Sequence, residues 1–235
     1  MKRTTLVTLV IVLVLVVDQV VKIWVKTHMA YGAEFGIFGS QHAYIHFVEN
    51  PGMAFGIEFG GDYGKLALSL FRVVAVGLLV YLVKQLAEAR AQRGLLVCFA
   101  LILAGAIGNI IDSAFYGMIF SESGYHDPAT IFPEGGGYAG FLYGHVVDML
   151  YFPLFRGTFP EWLPFWGGER FLFFRPVFNI ADAAISIGVF LLVAFYSDFF
   201  RHDPAPDEPA SHEVPVTADA ATAPSPLIDD AREER

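Results

Sequence analysis

Cysteine and charge are both scarce in this sequence. Cys98 is the only cysteine among 235 residues, so the chain cannot form an internal disulfide, and we expect Cys98 to serve packing within an apolar run. Charged residues make up 17% of the chain against 55% hydrophobic residues, which is too apolar for a soluble domain of this length. His42 and His46 lie in an expected loop without a matching pair of ligands, so we expect no metal and no other cofactor.

Long hydrophobic runs are abundant instead. Four of them are long enough to cross roughly 30 Å of hydrocarbon, and they extend over about 4–25, 66–86, 95–116 and 177–200. The first run follows two basic residues, as in a secretory signal, but it has no small-x-small cleavage site, so we interpret it as a retained span. The predicted fold class is an all-α membrane protein with four transmembrane helices in residues 1–200 and a small β-containing extracytoplasmic region.

Basic residues near the ends of the runs predict the orientation in the membrane. They lie before the first run, between the second and third, and after the fourth: Lys2, Arg3, Lys84, Arg90, Arg93 and Arg201. The positive-inside rule then places both termini in the cytoplasm and the two outer loops at about 27–65 and 117–176. The second loop also contains arginines, but long loops obey the rule poorly.

The C-terminal residues 201–235 differ from the rest of the chain. They contain nine Asp or Glu against three Arg, and they also hold six of the thirteen prolines and no aromatic residue. Such a segment cannot bury enough apolar surface to offset its ordering entropy, so we predict a disordered, acidic cytoplasmic tail. The tail carries −6 of the net charge of −9, which leaves the membrane body near −3 and gives no reason to expect a nucleic-acid partner.

Two aspartates lie in apolar surroundings. Asp148 belongs to the run His145–Phe152, and Asp182 lies near the start of the fourth hydrophobic run. A carboxylate at the edge of a bilayer costs a few kcal/mol, so each is a functional-site hypothesis, although a lone intramembrane aspartate can also serve a hydrogen bond between packed helices. Two carboxylates that meet can share a proton, as they do in aspartic proteases.

The depth of the aspartates along their helices favours a single site. At 1.5 Å per residue, Asp18 lies about 21 Å and Asp112 about 25 Å from the cytoplasmic ends of their spans. Asp182 lies about one and a half turns into a span that begins outside, and Asp148 precedes that span in the outer loop. All four aspartates therefore reach one level near the outer face, where we expect them to form one site.

Further polar residues occur near the same level. Three pairs share helix faces through their spacing: Asp18 with Lys22, Asn109 with Asp112, and Asn179 with Asp182. The first pair is either part of the site or a charge pair that anchors the end of its helix. The alternating residues 44–48 predict a short strand that leads into a glycine turn at 50–56.

Five blocks of residues, in order, carry a resemblance to a known family. They are Asp18-Gln-Val-Val-Lys22, Asn50-Pro-Gly-Met-Ala-Phe-Gly56, Gly108-Asn-Ile-Ile-Asp112, Val146-Val-Asp148 and Phe178-Asn-Ile-Ala-Asp182. The chain resembles lipoprotein signal peptidase (signal peptidase II), the bacterial membrane aspartyl peptidase that removes signal peptides from lipid-modified prolipoproteins. Each block is weak alone, but five in order on a four-span chain are specific, and the resemblance covers about residues 5–200.

The resemblance implies roles for particular residues. Asp148 and Asp182 would be the catalytic dyad. The other motif positions, which shape the site or hold substrate, fall on Asp18, Lys22, Asn50, Gly52, Ala54, Phe55, Gly108, Asn109, Asp112 and Asn179. The resemblance also implies cleavage before a diacylglyceryl-modified cysteine at the outer face of the bacterial inner membrane. The expected partners are prolipoproteins and membrane lipid, and we expect a monomer.

The chain departs from the family pattern in two respects. Ser113 occupies the position after Asp112, where many members have Arg. Two insertions, 117–145 and 153–176, make the outer region longer than is usual in the family. The outer-loop structure is therefore not implied by the resemblance.

Other classes of protein also place acids in a membrane. A proton-coupled transporter relays protons through such acids, but the internal repeats or paired broken helices of many transporters are not found in this sequence. A non-catalytic scaffold leaves the shared depth of four aspartates unexplained. A membrane aspartyl peptidase of the Gly-x-Gly-Asp type is not favoured, since the nearest string, Phe59-Gly-Gly-Asp62, begins with Phe.

Overall fold

The computed structural model describes residues 1–40, 42–51, 61–153, 155–173 and 176–200. Within these residues, three helical segments are long and apolar enough to cross a membrane. They are α1 (Arg3–His28), α2 (Gly61–Glu88) and α3 (Arg93–Ile111), the last of which continues through a π-helical segment (Asp112–Tyr116) into the short α4 (Gly117–Ile119). The first three predicted runs are therefore confirmed as long apolar helices.

The fourth predicted run is only partly helical. Helix α5 (Ile180–Tyr196) has 17 residues and is followed by a 3-10 turn (Ser197–Phe200). The expectation that the helix begins at about 177 is wrong, because Val177–Phe178 forms strand β6 and Asn179 is the N-cap of α5. At 1.5 Å per residue, α5 alone is about 26 Å long, slightly shorter than a typical hydrocarbon core.

Helices α3 and α5 pack closely because small residues line their contact. A Cβ on Gly105 would lie 2.2 Å from the carbonyl oxygen of Ala181, so only glycine permits this approach. Small residues at helix interfaces are the common means by which membrane helices bring their backbones together. Cys98 also lies in this region of α3 and is 2% exposed, as expected for a packing role. The contact brings the first turn of α5 against the C-terminal half of α3.

A four-stranded antiparallel sheet accompanies the helices. Its order is β1 (Glu34–Gly36), β2 (Tyr44–Asn50), β3 (Val146–Tyr151) and β6. The predicted strand at 44–48 is confirmed and extends to Asn50. His46 lies within β2, so its expected placement in a loop is wrong, because the period-two pattern that predicted the strand includes it.

The pairing of β2 with β3 brings two of the five sequence blocks, 50–56 and 146–148, next to each other. Val48 of β2 lies opposite Asp148 of β3, and Asn50 lies opposite Val146. The far end of β3 pairs with β6, where Leu150 lies opposite Phe178. The sheet therefore places Asp148 between the strand that ends at Asn50 and the strand that leads into α5.

Both insertions contain ordered structure. Part of the first, 117–145, folds over the C-terminal end of α1, where the Ala129 N–H donates to the carbonyl of Lys26 at 3.1 Å and the Tyr31 N–H donates to that of Gly124 at 2.8 Å. The second contains a hairpin of β4 (Phe155–Thr158) and β5 (Arg170–Phe173). Of the glycine turn predicted at 50–56, residues 52–56 lie outside the described residues, as does the predicted tail at 201–235.

Candidate active site

Lys22 of α1 lies between two carboxylates. Its Nζ is 3.0 Å from Asp18 Oδ2 and 2.8 Å from Asp112 Oδ2, and all three side chains are at most 1% exposed. The predicted ion pair between Asp18 and Lys22 is confirmed, and Asp112 is a second partner that the spacing along α1 could not show. Loss of one partner from such a buried group is strongly destabilising, by about 3–5 kcal/mol, because a charge remains uncompensated.

Gln19 is hydrogen-bonded to the same two carboxylates, those of Asp18 and Asp112. Its Nε2 donates to Asp18 Oδ2 at 3.1 Å and to Asp112 Oδ1 at 3.0 Å, while Tyr116 donates its hydroxyl to Gln19 Oε1 at 3.1 Å. Sequence analysis missed both residues. The signal for Gln19 was a second polar residue beside Asp18 in an apolar run, whereas no local pattern marks Tyr116. We call Lys22, Asp18, Asp112 and Gln19 the helix-side cluster.

The helix-side cluster holds the backbone beside each of the proposed catalytic aspartates. Asp18 Oδ1 accepts a hydrogen bond from the N–H of Ala181 at 2.9 Å, and Ala181 precedes Asp182. Asp112 Oδ2 accepts from the N–H of Val147 at 3.3 Å, and Val147 precedes Asp148. The Ala181 N–H belongs to the first turn of α5, where a carboxylate is favoured by the unpaired N–H groups of the helix end.

Asp182 lies in a capping box at the start of α5. The Asn179 side-chain oxygen accepts from the Asp182 N–H at 2.9 Å, and Asp182 Oδ2 accepts from the Asn179 N–H at 3.3 Å. This reciprocal arrangement satisfies two N–H groups that a helix would otherwise leave free. The expectation that the two residues share a helix face is therefore wrong, since Asn179 is extended and precedes the helix.

Two asparagines connect the aspartates. Asn179 Nδ2 donates to Asp148 Oδ1 at 2.7 Å and to Asn109 Oδ1 at 3.1 Å. Asn109 Nδ2 in turn donates to Asp182 Oδ1 at 2.8 Å, and Lys22 Nζ donates to Asn109 Oδ1 at 3.0 Å. The four aspartates at one predicted level are therefore joined in one hydrogen-bonded network.

Asp148 lies in an environment that favours its protonated form. The side chain is 5% exposed, and burial together with the nearby charge of Asp182 raises its pKa to about 7, although the hydrogen bond from Asn179 opposes this shift. A carboxyl group with this pKa holds its proton in a substantial fraction of molecules near neutral pH. It can therefore donate a hydrogen bond or a proton.

The remaining predicted residues are placed as follows. Gly108 lets α1 approach α3, because a Cβ there would lie 2.8 Å from Asp18 Oδ2. Asn50 ends strand β2 beside β3. Ser113 donates its hydroxyl to the carbonyl of Asn109 at 3.1 Å. Gly52, Ala54 and Phe55 lie outside the described residues.

Among the described residues, no group of three His, Cys, Asp or Glu is placed to hold a metal ion.

The chain resembles known proteins over most of its length, but the match ends before the C-terminal residues 201–235. The profile of the family described as "Signal peptidase (SPase) II" matches residues 10–197. A protein named lipoprotein signal peptidase from Porphyromonas gingivalis (strain ATCC 33277) is 58% identical over 187 residues, which cover 79% of this chain and 80% of that protein. Another protein of that name, from Amoebophilus asiaticus (strain 5a2), is 40% identical over 184 residues, which cover 77% of this chain and 73% of that protein.

Two solved structures have a similar fold. Both are described as bacterial membrane enzyme structures obtained by the in meso method, one at 2.3 Å and one at 1.9 Å resolution. The first has a TM-score of 0.52 and 25% identity, covering 85% of this chain and 93% of that chain. The second has a TM-score of 0.51 and 27% identity, covering 80% of this chain and 90% of that chain.

Proposed function

The chain belongs to the signal peptidase II family, and we propose that it is a membrane aspartyl endopeptidase that removes signal peptides from prolipoproteins. The scissile bond precedes a cysteine that carries a diacylglyceryl group. The observation that carries this proposal is that the Asn179 side chain donates to the Asp148 carboxylate and accepts from the backbone N–H of Asp182. A proton-coupled transporter is not supported, because the family match extends over most of the chain.

The two aspartates have different proposed roles. Asp182 is the base: its carboxylate lies in the first turn of α5 and accepts a hydrogen bond from Asn109 Nδ2 at 2.8 Å. Asp148 is the acid, in keeping with its burial and its pKa of about 7. Like charges held close do not both ionise readily, so the pair shares one proton near neutral pH.

Hydrolysis then needs only water and this pair. Asp182 takes a proton from a water molecule as the water oxygen attacks the scissile carbonyl, while protonated Asp148 donates a hydrogen bond to the carbonyl oxygen. When the tetrahedral intermediate breaks down, the leaving amine receives a proton from the pair and the carbon–nitrogen bond breaks. The water supplies the hydroxyl of the new carboxyl group and the proton of the new amine, so no nucleophilic Ser or Cys is required.

We propose that α5 is the fourth span, with both termini in the cytoplasm and the dyad near the outer face. Large apolar side chains of α5 are exposed on the protein surface, among them Phe190 at 67%, Val193 at 61% and Phe195 at 71%. Such side chains are suited to lipid. In this orientation the acyl chains of the substrate stay in the bilayer while the bond before the modified cysteine reaches the dyad. The enzyme acts as a monomer.

Purified protein in detergent tests the proposal directly. We expect it to cleave a diacylglyceryl-modified prolipoprotein and to leave the same prolipoprotein uncleaved when its cysteine is unmodified. Mass spectrometry of the product identifies the bond. Cleavage at another bond, or equal cleavage of the unmodified protein, would contradict the assigned substrate class.

A further inference from the structure

Helix α1 carries a second buried lysine one turn beyond Lys22. Lys26 is 0% exposed; its Nζ is ion-paired with Glu49 Oε1 and donates to Ser123 Oγ at 2.9 Å. Its ammonium group also lies 4.9 Å from the ring centre of Tyr138 and 5.5 Å from that of Phe120. This lysine touches none of the dyad residues through these contacts, so the proposed chemistry leaves it unexplained.

Glu49 of β2 is the centre of this group. Ser123 donates its hydroxyl to Glu49 Oε1 at 2.6 Å, and His145 Nδ1 lies 3.1 Å from Glu49 Oε2. Burial raises the pKa of Glu49, but the hydrogen bond from His145 and the charge of Lys26 outweigh it and lower the pKa to about 2. Glu49 is thus ionised at neutral pH. We call Lys26, Glu49, Ser123 and His145 the sheet-side cluster.

The sheet-side cluster joins β2 to the residue that precedes β3, the strand that carries Asp148. Glu49 lies opposite Val147 in the β2–β3 pair, next to the opposed residues Val48 and Asp148. His145 directly precedes β3, and its N–H donates to the Tyr138 hydroxyl at 2.7 Å. Since successive residues of a strand face opposite sides, a slip of one residue in this register would turn Asp148 away from Asp182.

The first insertion supplies much of this contact. Ser123, Phe120 and Tyr138 all belong to 117–145, and they lie against Lys26 and His145. The insertion therefore encloses the Lys26–Glu49 pair and shields it from water, and in such surroundings a charged pair with good geometry interacts more strongly than it would at the surface.

We propose that Glu49, held by Lys26, Ser123 and His145, is a positioning residue for Asp148 that fixes the register of β3 against β2. The insertion 117–145 thereby acts as part of the catalytic scaffold. This inference rests on the proposed dyad of Asp148 and Asp182. Glu49 acts through the strand and does not touch the reacting atoms.

A double variant separates positioning from simple stability. Glu49→Gln alone leaves Lys26 buried without its counter-charge, so we expect both the melting temperature in detergent and kcat to fall. In Lys26→Met/Glu49→Leu, apolar side chains replace the whole pair, a change that often restores stability. We expect its melting temperature to return to near that of the wild type while kcat stays about tenfold or more lower and KM changes about threefold or less, because a small misplacement of a reacting group is costly. Recovery of kcat together with the melting temperature would overturn the inference.

His145→Phe provides a second test if the double variant does not fold. This change removes the hydrogen bond to Glu49 and keeps the ion pair with Lys26. We expect a lower kcat and a shift of the alkaline limb of the pH–rate profile, since the burial of Asp148 and the nearby charge of Asp182 together raise the pKa of Asp148. An unchanged kcat and an unchanged limb would overturn the inference.

Glu34→Gln is the matched control. Glu34 lies in the same sheet, where its carboxylate is 3.2 Å from His46, but its side chain is 51% exposed. We expect its kcat and melting temperature to equal those of the wild type. Cleavage by the wild type and its loss in Asp148→Asn test the proposed function; if both occur and the Glu49 variants behave as the control does, the positioning role alone fails.

Discussion

Helix α1 presents two buried lysines to two different parts of the molecule, and their partners differ in kind. In the helix-side cluster, Lys22 neutralises two carboxylates that also accept hydrogen bonds from the backbone N–H groups beside Asp148 and Asp182. In the sheet-side cluster, Lys26 neutralises one carboxylate, and the remaining bonds come from Ser123 and His145 of the insertion. The first cluster thus acts on both aspartates, and the second acts on one strand.

This difference indicates how the site is divided. Asp182 depends on the packing of α1, α3 and α5, which small residues such as Gly105 and Gly108 bring into close contact. Asp148 depends on the same helices and also on the sheet. Changes in the helix-side cluster are therefore expected to affect the whole site, whereas changes in the sheet-side cluster should affect the placement of Asp148.

The largest effect on turnover is expected from substitution of either dyad residue, Asp148 or Asp182. Asp148→Asn and Asp182→Asn keep size and polarity but remove the titrating carboxyl group, so each should reduce turnover by about a hundredfold or more, the usual cost of losing an essential acid or base. Cleavage of lipid-modified prolipoprotein measures turnover, and the melting temperature in detergent should show a folded protein. If Asp148→Asn kept more than about a tenth of wild-type activity, the assignment of the dyad would be wrong.

Lys22→Met tests whether the helix-side cluster supports both aspartates. The change leaves Asp18 and Asp112 without their shared cation, so we expect a loss of about 3–5 kcal/mol in stability, together with a partial loss of activity. The melting temperature and turnover are measured on the same preparation. An unchanged melting temperature with no remaining activity would instead assign Lys22 a chemical role.

The contributions of Asp148 and Glu49 to stability should also differ in their dependence on pH. The folded-state pKa of Asp148 is raised from 3.8 to about 7, so its contribution to stability is full below 3.8 and is lost as the pH rises through 7. The pKa of Glu49 is lowered from 4.5 to about 2, so its contribution is present above 4.5 and is lost as the pH falls toward 2. Stability should therefore decline on both sides of an acidic optimum.

Melting temperatures at several pH values measure this contrast. Asp148→Asn cannot ionise, so between pH 4 and 7 its melting temperature should fall less with rising pH than that of the wild type. Glu34→Gln serves as a control with an exposed carboxylate in the same sheet. Parallel curves for the wild type and Asp148→Asn across this range would show that Asp148 has an ordinary pKa.

The smallest effect is expected at the C-terminus. Residues 203–235 are acidic, rich in proline and without aromatic residues, and they follow the fourth hydrophobic run, whose end we propose to lie in the cytoplasm. Truncation after His202 should leave turnover and melting temperature near those of the wild type, provided that Arg201 is kept to hold the end of the span inside. A large loss of turnover in the purified truncated enzyme would show that the tail acts on a site at the opposite face.

Local patterns determined the helices and the membership of the site. Apolar runs of about 20 residues predict membrane helices whatever they pack against, and α1, α2 and α3 agree with the first three runs. The depth of an aspartate follows from its count along a helix, which is why the sequence alone predicts that Asp18, Asp112, Asp148 and Asp182 meet. The i, i+4 spacing likewise predicts the pair of Asp18 and Lys22.

Tertiary structure decided how those residues are connected. Gln19 reaches Asp112 across 93 positions, and Ser123 reaches Lys26 across 97, and no local period encodes contacts at such separations. Helix α5 begins at Ile180 and not at the predicted position of about 177, because Val177 and Phe178 pair with β3, a strand that lies far from them in the sequence. Spans and depths are properties of a segment by itself, whereas the bonds that orient Asp148 and Asp182 exist only after distant segments have packed together.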